Sequence, residues 1–198
     1  MLFTHHTSRA AHPTPAVFLD RDGTTNIEKN HLFRIEDWEW INGAPEAIRR
    51  LNQASFKVVV VSNQAGIARG LYGHKDVEKL HAFILDELKK MGAWIDAFYY
   101  CPHHPDFGDE GACSCRKPAP GLILRAAADL NIDLRYSWMI GDKLIDARAG
   151  LAAGTKPVLV RTGYGEYVDS SLAAIADDLG RAVEFVLAAN KQCPVAKA

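Results

Sequence analysis

Phe18-Leu19-Asp20-Arg21-Asp22-Gly23-Thr24-Thr25-Asn26 is the stretch on which the fold turns. The apolar run Ala16-Val17-Phe18-Leu19 stops at a carboxylate, and the chain then turns at Gly23. A strand without polar alternation is buried on both faces, as in a parallel sheet. The C-terminal ends of parallel strands form the edge where α/β proteins bind ligands, so Asp20 and Asp22 are placed at that edge.

Working outward, the same grammar repeats. In Lys57-Val58-Val59-Val60-Val61 the four valines form a second unbroken apolar run, which ends in Ser62-Asn63. Trp94 to Tyr100 reads as a third strand leading into Cys101, Ser137 to Gly141 as a fourth ending at Asp142, and Lys156 to Arg161 as a fifth. Helical apolar spacing lies between them. Gly43-Ala44-Pro45 opens one helix with proline in its first turn, and the others run over 74–91, 120–131, 144–153 and 172–189. Strand–helix alternation predicts a three-layer α/β/α, Rossmann-like fold with a central parallel sheet. Residues 1–15 are expected to form a loose arm, 16–190 a single domain and 191–198 a frayed tail, with no internal repeat. Trp38 and Trp40 are expected to pack on the sheet.

Composition removes several functions. Lys+Arg is 23 against Asp+Glu 24 in 198 residues, which gives no electrostatic case for nucleic acid or an anionic membrane. No apolar run approaches the roughly 20 residues of a membrane span, and the first fifteen residues lack a signal-peptide core. A cytoplasmic monomer acting on a small molecule is the expectation. Of the four cysteines, Cys101, Cys113 and Cys115 cluster and Cys193 stands apart, a spacing that suits metal better than a disulfide framework.

Asp20, Asp22, Ser62 and Asp142 all end strands, so a parallel sheet lets them converge. Carboxylates about 4 Å apart repel by roughly 4 kcal/mol at an effective dielectric near 20, and a cation or a shared proton must relieve this. An oxygen-only set with open positions suits Mg²⁺. One aspartate at a strand end could be only a cap or turn residue; Asp20-x-Asp22-Gly-Thr together with Gly141-Asp142-x-x-x-Asp146 favours a shared site over that reading for the set. Asp146 either faces the site from the first turn of its helix or serves that turn as an N-terminal acid. Arg21 and Lys143 flank these carboxylates as site residues or as surface ion pairs. Cys101-x-His103-x₉-Cys113-x-Cys115 supplies three thiolates and an imidazole, the ligand set of a closed structural zinc site. Gly66 to Gly70 reads equally as a simple connection or a phosphate cradle. His5, His6, His12, His31, His74 and His81 are assigned to the surface by default.

Five segments carry a family resemblance: Asp-Arg-Asp-Gly-Thr (20–24), Ser-Asn-Gln-Ala-Gly-Ile-Ala-Arg-Gly (62–70), Cys-Pro-His-His-Pro (101–105), Cys-x-Cys-Arg-Lys-Pro (113–118) and Gly-Asp-Lys (141–143). Together they resemble the haloacid dehalogenase (HAD) superfamily, and within it the heptose bisphosphate phosphatases and the related histidinol-phosphate phosphatases. The resemblance spans about Ala16 to Gly163. It implies a HAD-type domain with a minimal cap and a zinc-binding loop at 101–117. It also implies a Mg²⁺-dependent phosphatase that forms an aspartyl-phosphate, acts on a sugar bisphosphate and serves lipopolysaccharide precursor biosynthesis.

In that scheme Asp20 is the nucleophile, Asp22 the acid/base, and Ser62 and Lys117 bind the transferring phosphoryl group. Mg²⁺ is held by Asp20, the backbone carbonyl of Asp22, and Asp142. Zinc is held by Cys101, His103, Cys113 and Cys115; His104 could substitute, but the subgroup pattern favours His103. Substrate contacts fall to Arg21, Glu28, Lys29, Asn30, His31, Asn63, Gln64, Arg116 and Lys143.

The chain departs from the subgroup where Thr25 replaces an isoleucine and Glu28-Lys29-Asn30-His31 occupies the substrate-facing flap. Histidinol phosphate or another small phosphate ester is therefore a competing substrate. A non-catalytic zinc module would be expected to lack one of Asp20, Asp22, Lys117 or Asp142, and a DNA-end phosphatase would be expected to be basic.

Overall fold

A computed structural model describes residues 12–107, 113–165 and 172–192. Most of the expected arm, residues 108–112 of the expected zinc-binding loop, and the tail from Cys193 lie outside the described residues.

Six strands form one parallel sheet: β1 (Ala16–Leu19), β2 (Lys57–Asn63), β3 (Ala97–Cys101), β4 (Trp138–Gly141), β5 (Lys156–Val160) and β6 (Ala174–Ala176). Their spatial order is β3-β2-β1-β4-β5-β6. The order reverses between β1 and β4, and a crevice at such a switch point is the ligand site of open α/β sheets. Leu19 sits opposite Val60 on one side and Ile140 on the other, so β1 ends between β2 and β4.

The strands are apolar on both faces because both faces are covered. Val17, Leu19, Val58, Val60, Ile140 and Val158 point into a core shared with α1 (Ala44–Gln53), α2 (His74–Lys90) and α5 (Leu179–Gln192). Ala16, Phe18, Val59, Val61 and Met139 point the other way, onto α3 (Gly121–Leu130) and α4 (Leu144–Ala153). This is the period-two alternation of a strand, with both registers apolar. Trp38 and Trp40 pack against the first core in an edge-to-face pair with centroids 4.9 Å apart.

Three expectations need correction. The segment from Leu172 is not the start of the closing helix. Ala174–Ala176 forms β6, pairing with β5 at Val158 to Val160, and α5 begins at Leu179. β3 begins at Ala97 rather than Trp94, because the Asp96 carboxylate caps the sheet by accepting from Val58 N at 2.7 Å. His81 is not a surface residue: it is buried on α2 and stacks on Phe98 at 4.1 Å. Burial pushes its pKa down to about 3, with Arg21 acting in the same direction, so the ring is neutral.

Candidate active site

Asp20 leaves β1 with its backbone N–H still bonded to Ile140 O at 2.9 Å, which fixes it beside β4. Asp142 follows β4 directly and Asp146 sits in the first turn of α4. One oxygen from each of these three carboxylates falls within a 4.8 Å cluster, and all three residues are buried. Lys117 reaches the same point from the loop that carries Cys113 and Cys115. Its Nζ donates to Asp20 Oδ1 at 2.7 Å and to Val61 O at 2.8 Å, and pairs with Asp146 Oδ1 at 2.7 Å. Two hydrogen bonds and an ion pair fix the position of the ammonium. Burial opposes its charge, but Asp146 and Asp20 outweigh that and raise its pKa.

Asp146 performs both of the roles left open for it. Its Oδ2 accepts from Lys143 N at 3.0 Å, capping α4, while its Oδ1 faces Lys117.

The carboxylates outnumber the cation. Burial raises Asp20 from 3.8 to about 6 despite Lys117, and raises Asp142 from 3.8 to about 7, with Asp20 adding to the effect. Asp142 Oδ2 accepts from Tyr164 N at 2.9 Å, whereas its Oδ1 is buried with no hydrogen-bond partner. Gly23 and Gly163 flank this carboxylate so closely that a Cβ on either would fall 2.4 or 2.3 Å from Oδ2. Buried oxygens in charge excess, one of them orphaned, fit a hard divalent cation such as Mg²⁺.

Asp22 has different surroundings. Arg21 clasps it through Nη2 at 2.8 Å and Nε at 3.2 Å, Asn26 Nδ2 donates at 3.0 Å, and Gln64 Nε2 at 3.3 Å. Burial would raise the Asp22 carboxyl, but Arg21, Asn26 and Gln64 outweigh it and hold it below the usual range. Arg21 itself is 1% exposed and also donates to Leu32 O at 2.7 Å, so it lies behind the pocket wall rather than facing a substrate. Ser62 is buried and accepts from Gln64 Nε2 at 3.2 Å. Asn63 clamps the Lys117 backbone in both directions, at 3.0 Å each way.

A cavity of about 280 Å³ opens over Asp20 and Asp22. Glu28, Asn30, His31, Asn63, Gln64, Arg116 and Lys143 line it, as the motifs suggest. Lys29 is not in the lining and pairs with Glu39 at 3.0 Å. Tyr72, Ile145 and Tyr164 line it without having been expected. For Tyr164 a signal existed, since every loop that follows a parallel strand emerges at this same edge.

The cysteine cluster closes on itself. Cys115 Sγ lies 3.2 Å from Cys101 Sγ and 3.4 Å from Cys113 Sγ, with His103 Nδ1 at 3.3 Å. Cys101 Sγ lies 3.6 Å from both Cys113 Sγ and His103 Nδ1. A Zn–S bond of about 2.3 Å implies tetrahedral edges of roughly 3.8 Å, so these four atoms fit a zinc ion after a small expansion. Arg116 Nη1 donates to His103 O at 3.0 Å, tying the next residue to the cluster.

A buried carboxylate at a parallel-sheet switch point, beside a buried lysine and an acidic cluster that could hold a cation, is an arrangement suited to phosphoryl transfer. The HAD-hydrolase-like family model matches residues 114–182. The D-glycero-beta-D-manno-heptose-1,7-bisphosphate 7-phosphatase of Yersinia pestis is 43% identical over 81% of this chain and 87% of its own length. That of Escherichia coli K12 is 46% identical over 77% of this chain and 82% of its own. The crystal structure of D,D-heptose 1,7-bisphosphate phosphatase from B. bronchiseptica, complexed with magnesium and phosphate, superposes with a TM-score of 0.80. It is 34% identical and covers 89% of this chain and 99% of that one. The chain belongs to the HAD-like hydrolases, in the group formed by these relatives, and is a phosphoric monoester hydrolase.

Proposed function

We propose that this enzyme removes the 7-phosphate of D-glycero-beta-D-manno-heptose 1,7-bisphosphate through an aspartyl-phosphate on Asp20. The chemistry rests on one observation: Lys117 Nζ fixes Asp20 Oδ1 at 2.7 Å on the cavity floor, leaving Oδ2 to attack. The substrate rests on the relatives' names, at 43 and 46% identity.

Asp20 Oδ2 forms a bond to phosphorus as the bond to the sugar oxygen breaks, and Asp22 gives that oxygen its proton. Water then attacks phosphorus, Asp22 takes the water's proton, and the acyl phosphate breaks to free Asp20 and phosphate. The clasp of Arg21 favours the Asp22 carboxylate, the form needed in the second half. For the first half Asp22 must loosen from Arg21 and gain a proton, and an incoming dianion beside it promotes that protonation.

Asp20, Asp142 and the Asp22 carbonyl would hold Mg²⁺, which offsets the repulsion between an anionic phosphoryl group and the buried carboxylates. Lys117 adds a fixed positive charge, and Ser62 a hydroxyl once Gln64 yields it. Zinc at Cys101, His103, Cys113 and Cys115 holds the loop that presents Arg116 and Lys117. Residues 16–190 act as one catalytic unit in this reading.

The test is phosphate release from heptose bisphosphate and from histidinol phosphate, with Asp20→Asn as the control. The expected result is a higher kcat/KM on the bisphosphate and no turnover by the variant. Turnover by Asp20→Asn, or a preference for histidinol phosphate, refutes the corresponding half.

A further inference from the structure

One wall of the cavity comes from residues that the reaction itself does not use. Glu28 and Asn30 of the flap face Lys143 at the start of α4 and Tyr164 in the turn after β5. Tyr164 makes three contacts there. Its backbone N donates to Asp142 Oδ2 at 2.9 Å, its hydroxyl donates to Asn30 Oδ1 at 2.9 Å, and its ring lies 4.1 Å from Lys143 Nζ.

We infer that Tyr164 is a specificity-determining residue: by joining Lys143 to the flap it sets where the non-reacting end of a phosphorylated sugar lies. The inference rests on the phosphatase reading above.

The turn that carries Tyr164 is held in one conformation. Gly163 has φ +68° and meets Asp142 and Gly23; Gly165 has φ +50°, and a Cβ there would sit 2.6 Å from Arg161 O. Only glycine fits such positions, so the tyrosine is presented by backbone that has little freedom to shift. On the other side, Asn30 and His31 both adopt positive φ, 50° and 60°. Two successive non-glycine residues in that region persist only where neighbours over-determine them. Asn30 N donates to Glu28 Oε1 at 2.8 Å, and the Tyr164 hydroxyl holds the Asn30 side chain. The flap is thereby pinned to the rigid side of the site.

Lys143 is the charge that this pinning orients. The Tyr164 ring covers one side of the ammonium, and Glu28 Oε2 is 3.6 Å away, a loose pair that leaves donors for a ligand. An anionic, hydroxyl-rich substrate meets an ammonium whose position is fixed and a flap whose polar groups already point at it. A small aryl phosphate that fills only the floor of the cavity reaches neither.

The experiment compares wild type, Tyr164→Phe and Tyr164→Ala on two substrates with Mg²⁺ and Zn²⁺ present: heptose 1,7-bisphosphate and p-nitrophenyl phosphate. Tyr164→Phe keeps the ring and loses the flap tie. Its ratio of kcat/KM on the bisphosphate to that on p-nitrophenyl phosphate should fall about fivefold, the factor for one net hydrogen bond, with the fall carried by KM. Tyr164→Ala also loses the ring over Lys143 and should fall roughly tenfold or more. A fall by the same factor on both substrates marks general damage and overturns the inference, as does an unchanged ratio in a wild type that prefers the bisphosphate. A wild type with no such preference overturns the proposed substrate, and this inference with it.

Discussion

Asp142→Asn offers the sharpest test of the acidic cluster. The asparagine Oδ1 keeps an acceptor for Tyr164 N, now 2.9 Å from Asp142 Oδ2, while the charge is removed. In the metal-free protein Asp142 is raised from 3.8 to about 7, by burial first and by Asp20 next. A folded-state pKa above the unfolded value means that the folded form binds the proton more tightly. Stability is then fully present below pH 3.8 and is lost as pH rises through about 7. The shift of about 3 units corresponds to roughly 4 kcal/mol at pH 8, an upper bound because the cluster can relax.

Dialysed free of Mg²⁺, Asp142→Asn should be more stable than wild type at pH 8 by about 2 kcal/mol. The advantage should vanish by pH 4. Added Mg²⁺ should raise the wild-type Tm and leave the variant's nearly unchanged, because ligands that bind only the folded form stabilise it by mass action. Urea unfolding at several pH values, with and without Mg²⁺, measures all of this. A variant that is less stable than wild type at pH 8 without metal, or that gains as much from Mg²⁺, would refute the picture of strained, cation-seeking oxygens.

Three further outcomes follow from the same geometry. Lys117→Met strands Asp20 and Asp146 without the ammonium 2.7 Å from each, and should cost about 3–5 kcal/mol in urea unfolding and at least roughly a hundredfold in kcat. Cys115→Ser should lower zinc content, measured by atomic absorption, and reduce activity by misplacing Lys117; Mg²⁺ affinity should be spared, and normal turnover without zinc would sink the idea. Gly163→Ala puts a methyl 2.6 Å from the backbone Cα of Gly23 at φ +68°, where neither side can yield cheaply. A destabilisation of about 1–3 kcal/mol is expected, together with a weaker Mg²⁺ response in thermal melts.

The sequence by itself determined the parallel sheet and the strand ends that carry Asp20, Ser62 and Asp142. Those signals are local, because an apolar run and the residue that stops it are adjacent in the chain. The clustering of Cys101, His103, Cys113 and Cys115 was legible for the same reason, with Cys101 and Cys115 only 14 residues apart. Leu172 to Ala176 misled because leucine and alanine favour helix, and only pairing with β5 makes part of that segment an edge strand.

The tertiary structure decided everything that depends on distant segments meeting. Lys117 finds Asp20 across 97 residues, and Tyr164 finds Asn30 across 134. Arg21, next to Asp20 in sequence, turns inward because Leu32 O and Asp22 solvate its guanidinium away from the cavity. Phe18 to Asn26 fixes where Asp20 stands. Its protonation, and the shape of the space above it, depend on residues that the fold alone carries to that edge.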